Sequence, residues 1–291
     1  MTALTPRPTA RPVHAARTAF VGPESRLSFP RVVRSEWIKI TSLRSTVWSL
    51  LMIVLSGVGL SLLLAATMES AGLPDGPSVG FTLTTVTLGV MFGQIVAAVL
   101  GVLAISGEYS TGMIRSTLTA VPTRLPVLAA KAVVLFVLVV AVGLVTLVGA
   151  WAATYPLFAA AGIATSLAEP GFFVAILGAA TYLGLTAVFA LGIGTLLRSA
   201  AGGVATVLGV ILGLPLFLPL AALAFDWVAD VGPFLFTSAG EAMAALPLDA
   251  PAGTAPVSGG PLEPWAAGLV VLAWTGVSLV LAGLSLRRRD A

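Results

Sequence analysis

The chain has 291 residues, of which 58% are hydrophobic and only 9% are charged, whereas soluble domains carry roughly 25% charged residues. This composition excludes a soluble globular protein and predicts an integral membrane protein. The net charge of +3 does not indicate nucleic acid as a partner, because the basic residues are spread over four segments that flank apolar runs, where membrane lipids account for them.

The first 30 residues are rich in proline, alanine and arginine and contain few large apolar side chains. Such a segment cannot bury enough surface to offset the entropy that is lost on ordering. We therefore predict a disordered tail over residues 1–30. A targeting peptide is not indicated, because the segment lacks an apolar core of the required length.

Residues 31–45 are predicted to form an amphipathic helix that lies in the membrane interface. The apolar residues that share one face are Val33, Trp37 and Ile40. Trp37 is expected at the depth of the lipid headgroups. The basic residues expected to reach lipid phosphates are Arg34, Lys39 and Arg44. Glu36 falls within the apolar arc, which leaves two interpretations open: contact with protein, or an ion pair with a neighbouring Arg or Lys.

A bilayer core of about 30 Å requires about 20 apolar residues in a helix. The stretches that meet this requirement are approximately 46–68, 81–106, 125–154, 172–197, 203–225 and 265–286. Tyr155 and Pro156 are expected to end the third span, and Pro215 and Pro219 to kink the fifth. The predicted fold class is all-α, a polytopic membrane protein whose transmembrane domain covers residues 46–286.

The charges between the spans predict the orientation in the membrane. All 15 Lys and Arg residues lie before the first span, at the second-to-third or fourth-to-fifth connection, or after the sixth span. The other connections hold only acidic charges, namely Glu69, Asp75, Glu169, Asp226, Asp230, Glu241, Asp249 and Glu263. By the positive-inside rule both termini are cytoplasmic, with residues 287–291 as a short tail.

The connection between the second and third spans, residues 107–124, is the only long polar interruption on the basic side. Gly107 and Gly112 are expected to break the spanning helix at the membrane surface. The residues that then recur with helical spacing are Met113, Ile114, Thr117, Leu118 and Val121. They predict a short amphipathic helix that ends at Pro122. Because this helix cannot span the membrane, its apolar face needs lipid or a partner protein; an ordinary cytoplasmic loop is the alternative.

The longest connection on the acidic side covers residues 226–263. Its first half, 231–245, carries two aromatic residues and a predicted Ser-Ala-Gly turn before a short apolar helix. Its second half, 247–261, is rich in proline and glycine and is predicted to be a flexible loop.

The sequence holds no constellation for catalysis or metal binding. Cysteine is absent, and the single histidine, His14, lies in the tail. A P-loop requires Gly-Lys-Ser/Thr, which does not occur, and no span carries an ionisable residue at its middle, where ion-coupled carriers need one. We therefore expect no enzyme activity, no cofactor and no metal in this chain, and an energy source outside it.

Two stretches resemble the permease subunits of type 2 ATP-binding-cassette (ABC) exporters, and the layout of the rest of the chain is similar. The first, like the family's N-terminal interfacial segment, consists of Ser35, Glu36, Trp37, Lys39, Leu43, Arg44, Ser45, Thr46 and Trp48. The second, like the family's coupling-helix loop, consists of Gly107, Glu108, Tyr109, Ser110, Thr111, Gly112, Ile114, Arg115, Leu118, Pro122, Arg124 and Lys131.

The resemblance implies an exporter in a bacterial cell membrane whose coupling helix docks on a separate ATPase subunit. The residues it assigns to this contact are Glu108, Tyr109, Met113, Ile114, Arg115, Leu118 and Val121. It implies a second permease copy, identical or not, and re-entrant external helices that close the transport path, with Pro233, Phe234, Phe236 and Gly240 as candidate gate residues. Spans without charge suit a hydrophobic or amphipathic cargo.

Two other classes of protein stay open. A non-transporting membrane anchor or sensory partner would use the short cytoplasmic helix to dock a signalling protein. A passive channel would need a polar stripe along a pore, and the spans offer only scattered Ser and Thr residues and Gln94.

Overall fold

The computed structural model describes residues 28–67, 79–110, 112, 124–169, 171–246 and 262–288. The described residues are predominantly helical, and none of them is in a β-strand. They include six helical segments that are long and apolar enough to cross a membrane. The prediction of an all-α polytopic membrane protein with six spans is therefore confirmed.

The helices are α1 (Phe29–Ser42), α2 (Arg44–Thr67), α3 (Val79–Thr87), α4 (Val90–Ser110), α5 (Arg124–Ala160), α6 (Phe172–Leu197), α7 (Ala200–Leu208), α8 (Leu214–Ala222), α9 (Asp226–Val231), α10 (Phe236–Met243) and α11 (Pro264–Arg288). A π-helix, Gly209–Gly213, joins α7 to α8, and a 3-10 turn, Gly232–Phe234, lies between α9 and α10. The spans are α2, α3 with α4, α5, α6, α7 with α8, and α11.

Four predictions fall outside the described residues. They concern the N-terminal tail up to residue 27, the short helix within 113–123, the loop 247–261 and the chain end from residue 289.

The fourth span, α6, lies at the centre of the bundle. Of its apolar stretch 72% is buried within the protein, against 22% for the first span and 11% for the fifth. It packs against α4, α5 and α11. A Cβ on Gly101 of α4 would overlap the carbonyl oxygen of Ala187 in α6, so this glycine permits the close approach of the two helices. The first and fifth spans are peripheral, and α6 is the scaffold.

The third span is longer than predicted. α5 continues through Pro156 to Ala160, so the predicted end at Thr154 was wrong. Pro156 lacks a backbone N–H but does not end the helix, and Phe158, just beyond it, is buried against Ala65 and Ile163. The helix ends where Gly162 takes a positive φ of 77°, a conformation that glycine adopts without steric cost.

Gly107 was predicted to break the second span, but it does not. α4 runs through it to Ser110, and the residue in the left-handed region is Gly112, at a φ of 70°. The interruption of the second span lies instead at Leu88–Gly89, between α3 and α4. A Cβ on Gly89 would overlap the backbone of Gly57 in α2, so the glycine allows close packing of the first two spans.

The disturbance expected at Pro215 is a π-helix over Gly209–Gly213. Proline has no N–H, and its ring displaces the carbonyl four residues earlier, which is that of Ile211. The hydroxyl of Thr237 in α10 donates a hydrogen bond to this carbonyl oxygen at 2.9 Å. The irregular fifth span is thereby attached to α10.

Candidate functional site

Four charged side chains from three helices meet at one end of the bundle. We refer to Glu36 and Lys39 of α1, Glu108 of α4 and Lys131 of α5 as the buried charge network. Nζ of Lys131 lies 2.6 Å from Oε2 of Glu36 and 2.9 Å from Oε1 of Glu108. Nζ of Lys39 lies 2.7 Å from Oε1 of Glu36 and 3.5 Å from Oε1 of Glu108. Two carboxylates and two ammonium groups thus form one net-neutral cluster.

The helical spacing of α1 delivers Glu36 to this cluster. Val32, Glu36 and Ile40 recur every four residues, so they share one face of the helix, and all three are buried. That face packs on the beginning of α5, where Val32 contacts a cluster that includes Val127 and Ala130. Glu36 consequently points at Lys131, one residue further along α5.

The network is shielded from solvent to different degrees. The side chains of Glu36 and Lys131 are only 1% and 2% exposed, while that of Lys39 is 32% exposed. Removing charges from water is costly, so buried ions persist in proteins when they are paired and hydrogen-bonded. Lys131 is the fully enclosed cation that holds the two carboxylates together.

The electrostatics of the two α1 residues follow from this pairing. Burial by itself raises the pKa of Glu36, but the ammonium groups of Lys131 and Lys39 more than offset it and hold that pKa below its ordinary value. Burial by itself lowers the pKa of Lys39, but the hydrogen bond to Glu36 and the charge of Glu108 hold that pKa above its ordinary value. Both groups are therefore charged at neutral pH.

Glu108 has one oxygen that the network does not use. Its Oε2 atom is buried and has no hydrogen-bond partner within the described parts of the chain. Glu108 lies two residues before the end of α4 and at the beginning of the predicted coupling segment, residues 107–124. The prediction that this carboxylate accepts backbone amides of a helix in 113–121 concerns residues outside the described ranges.

Tyr109 connects the end of the second span with the end of the fourth. The guanidinium carbon of Arg198 lies 5.4 Å from the centroid of the Tyr109 ring, a cation–π contact. Arg198 ends α6 in the left-handed conformation, with a φ of 53°, and its N–H donates to the carbonyl of Gly194 at 3.0 Å. Lys39 of the segment before the first span, Lys131 of the second-to-third connection and Arg198 of the fourth-to-fifth connection therefore lie at the same end of the bundle.

Arg34, Trp37 and Arg44 of the predicted interfacial helix point away from the bundle, whereas Ile40 is buried. Arg34 and Arg44 are exposed, and Trp37 is 42% exposed, so the contacts of these residues with lipid stay predictions. The buried face consists of Val32, Glu36 and Ile40 and shares only Ile40 with the predicted apolar face. Lys39, which was expected to reach lipid phosphates, donates to Glu36 instead.

The predicted gate residues divide into two pairs. Phe236 is fully buried and stacks on Phe189 with ring centroids 4.7 Å apart, and a Cβ on Gly240 would overlap the ring of Tyr182. Phe234 is 52% exposed, and Pro233 lies beside it in the 3-10 turn. The carbonyl of Phe234 accepts a hydrogen bond from Nε1 of Trp274 at 3.0 Å.

The predicted Ser-Ala-Gly turn is wrong. Residues 238–240 lie within α10, and the chain turns earlier, at Leu235, whose backbone is extended. Glycine is needed at position 240 for packing against Tyr182 and not for a turn.

A second polar contact, which the sequence alone did not reveal, lies within the apolar core. The hydroxyl of Tyr182 in α6 donates to Oε1 of Gln94 in α4, and both side chains are buried. Gln94 is the signal that could have indicated it, because an amide in an apolar span requires a hydrogen-bonding partner.

The network lies near the Arg198 end of α6, whereas α10 contacts the part of α6 from Gly178 to Phe189. A Cβ on Gly178 would overlap the carbonyl oxygen of Met243 in α10, whereas Arg198 meets Tyr109. Twenty residues of α-helix separate Gly178 from Arg198, which corresponds to about 30 Å along the helix axis.

No protein-family model matches the chain, and no curated protein matches it either.

Proposed function

We propose that this chain is the transmembrane permease subunit of an ABC exporter, driven by a separate ATPase subunit that docks on residues 107–124. The cargo proposed is hydrophobic or amphipathic. The observation that carries the proposal is the buried charge network, because it joins the end of α4, the beginning of α5 and α1 around this segment.

A segment that transmits conformational change from an ATPase subunit to the helix bundle needs firm attachment at both of its ends. Glu108 lies at the beginning of the segment and Lys131 follows its end, and their 2.9 Å ion pair ties α4 to α5. Glu36 ties α1 to the same lysine. A displacement of residues 111–123 would therefore move three helices as a unit, since separating them leaves buried charges unpaired.

The distribution of charge supports a cytoplasmic position for this end. Lys39, Lys131 and Arg198 lie at this end, and the groove lined by Leu125 of α5 and Arg287 of α11 places the end of the last span at the same end. Positively charged ends of spans face the cytoplasm in most membrane proteins.

The placement of ionisable groups supports an external energy source. In the described spans the Asp, Glu, Lys and Arg residues lie within about two turns of the basic end, where Glu108 and Lys131 neutralise each other. The middle of each described span is free of these four residue types. Proton- and ion-coupled carriers place ionisable residues at that depth.

The peripheral spans support assembly with a second permease. Only 22% of the apolar stretch of the first span and 11% of that of the fifth are buried within one chain. A single six-span subunit would supply half of the transport path, and a pair would bind two ATPase subunits.

The experiment is purification of the tagged protein from its native membranes in a mild detergent, followed by mass spectrometry and a Mg-ATP hydrolysis assay. The proposal predicts that an ATPase subunit co-purifies in a 1:1 ratio to the permease. Co-purification of a signalling protein without ATP hydrolysis would favour the membrane anchor, and absence of any ATPase would contradict the proposal.

A further inference from the structure

A groove lies between the beginning of α5 and the end of α11, at the basic end of the bundle. Its volume is about 380 Å³, within the range of about 300 to 1,000 Å³ typical of small-molecule sites. Leu128 and Gly283 form its buried floor, whereas Val280 and Leu284 form an exposed wall. The charged lining residue is Arg287, at the end of α11. The groove is thus apolar along its length and cationic at its mouth.

The shape of the groove floor depends on the absence of a side chain at Gly283. A Cβ built on Gly283 would lie 3.0 Å from Cδ2 of Leu125, closer than ordinary van der Waals contact. The missing side chain lets α5 and α11 approach while it leaves the space above the floor open. From Leu279 to Arg287 the lining follows one face of α11 for eight residues, about 12 Å along the helix axis.

Arg287 is exposed and forms no ion pair within the described residues. Arg288 follows it, also exposed, and the sequence adds Arg289. An arginine stem can lie along apolar surface while its guanidinium group reaches the headgroup region. There the planar group matches a phosphate with two parallel hydrogen bonds. The charge at the mouth therefore calls for an anionic group at the membrane surface.

We propose that this groove binds an anionic phospholipid, with an acyl chain along the apolar floor and the phosphate on Arg287. The groove opens on the outer surface of a six-span bundle, where lipid is the surrounding solvent, and charge complementarity selects an anionic headgroup over a zwitterionic one. Basic pockets between spans bind anionic lipid headgroups in this way. The inference does not depend on the proposed transport function.

The test is native mass spectrometry of the purified full-length protein, titrated with phosphatidylglycerol and, separately, with phosphatidylcholine of identical acyl chains. The wild-type protein is expected to bind one phosphatidylglycerol more tightly than any phosphatidylcholine. Arg287→Gln is expected to weaken phosphatidylglycerol binding about tenfold, as loss of a charge-assisted hydrogen bond implies. Arg288→Gln removes the same charge outside the groove and is expected to have a much smaller effect.

A second pair of variants tests the apolar part of the site. Ala129 is an exposed lining residue of α5, and Ala129→Phe fills the groove; Ala273, exposed on α11 outside the groove, provides the control Ala273→Phe. Only the first variant is expected to lose the tightly bound lipid. Val280→Trp fills the same groove from α11 and replaces Ala129→Phe if thermal unfolding shows that this variant does not fold.

Several outcomes would overturn the proposal. Equal affinity for the two lipids would show that Arg287 does not select an anionic headgroup. Retained phosphatidylglycerol binding in both groove-filling variants would show that the lipid does not bind in the groove. Displacement of the lipid by glycerol phosphate alone would show an anion site without an acyl-chain site. A dimer that dissociates in Ala129→Phe, with lipid binding unchanged, would assign the groove to a second copy of the chain.

Discussion

Lys131 and Glu36 are 95 positions apart in the sequence, yet Nζ of the lysine lies 2.6 Å from Oε2 of the glutamate, and both side chains are buried. This pair fixes α1 to the beginning of the third span. Because Lys131 also binds Glu108 at 2.9 Å, the end of the second span is held at the same point. The stability of this end of the bundle therefore depends on one lysine.

Replacing that lysine tests this dependence. Lys131→Met leaves Glu36 and Glu108 buried with only the partly exposed Lys39 to neutralise them. Removal of one partner from a buried ion pair costs roughly 3 to 5 kcal/mol. We expect a lower thermal unfolding midpoint in detergent, whereas Arg34→Met, at an exposed position of α1, is expected to leave the midpoint nearly unchanged.

The double variant Glu36→Leu with Lys131→Met distinguishes loss of charge balance from loss of packing. It leaves Lys39 opposite Glu108, so the cluster is again neutral. We expect the double variant to be more stable than Lys131→Met alone. A midpoint for Lys131→Met equal to that of Arg34→Met would show that the network does not stabilise the fold.

The network also predicts a dependence of stability on pH. The pKa of Glu36 is below its ordinary value of 4.5 in the folded protein, so its stabilising contribution is present above pH 4.5 and is lost as the pH falls through the lower, folded pKa. The pKa of Lys39 is above its ordinary value of 10.5, so its contribution is present below pH 10.5 and is lost at higher pH.

Thermal unfolding measured from pH 3 to pH 11 checks the loss of stability expected in acid and the loss expected in alkali. We expect a plateau between about 4.5 and 10.5, set by these two groups. Glu36→Gln should be less stable on the plateau and should lose less stability in acid than the wild-type protein. An unchanged acid limb in this variant would show that Glu36 does not contribute to it.

The six spans could be predicted because each depends only on the length and composition of a local stretch. The errors lie where packing decides a helix end. α5 passes Pro156 because Phe158 is buried beyond it, and α4 passes Gly107 because nothing there requires a turn. Local patterns of proline and glycine carry no information about such contacts.

The charge network was only partly predictable. Glu36 within an apolar arc left open a contact with protein or an ion pair with a neighbouring Arg or Lys, but the sequence did not single out Lys131 as the partner. Their meeting depends on the packing of α1 on α5, which joins residues far apart in the sequence. The Thr237 contact with the π-helix was not predictable for the same reason, although Pro215 indicated that the carbonyl of Ile211 lacks its helical partner.

The close contact between α6 and α10 predicts that adding even one methyl group at Gly178 weakens the docking of α10. Gly178→Ala places a Cβ against the backbone carbonyl of Met243, which can yield only if α10 moves. The chain has no cysteine, so Ala239→Cys, fully buried in α10, is a clean reporter. We expect Gly178→Ala to accelerate its reaction with a water-soluble maleimide about tenfold, equivalent to ~1.4 kcal/mol of weaker docking.

Gly59→Ala is the matched control, because a Cβ at Gly59 meets nothing within 4 Å. The Gly59→Ala, Ala239→Cys double variant is expected to react with the maleimide as slowly as Ala239→Cys alone. Equal labelling rates in the two alanine variants would mean that α10 is not held by close contact with α6.

The orientation predicted from the charges, with both termini cytoplasmic, leads to an expectation of which sites are reachable in intact cells. Tags at either terminus and after Thr123 are expected to be protected from an impermeant reagent, and a tag after Gly253 is expected to react, because Lys and Arg residues are retained on the cytoplasmic side. External labelling at Thr123 would reverse the orientation and place the charge network outside the cell.

The most direct test of the account is ATP hydrolysis that co-purifies with variants of the coupling segment. Ile114→Asp with Leu118→Asp puts charges on its predicted apolar face, while Ser116→Asp with Thr119→Asp adds the same charges to the other face. Each buried aliphatic side chain contributes about 1.5 to 3 kcal/mol, so loss of both should weaken docking at least about a hundredfold. We predict that the first double variant keeps its expression and thermal midpoint but loses the co-purified ATPase activity, and that the second retains it. Full ATPase activity with the first variant would contradict the proposed role of this segment.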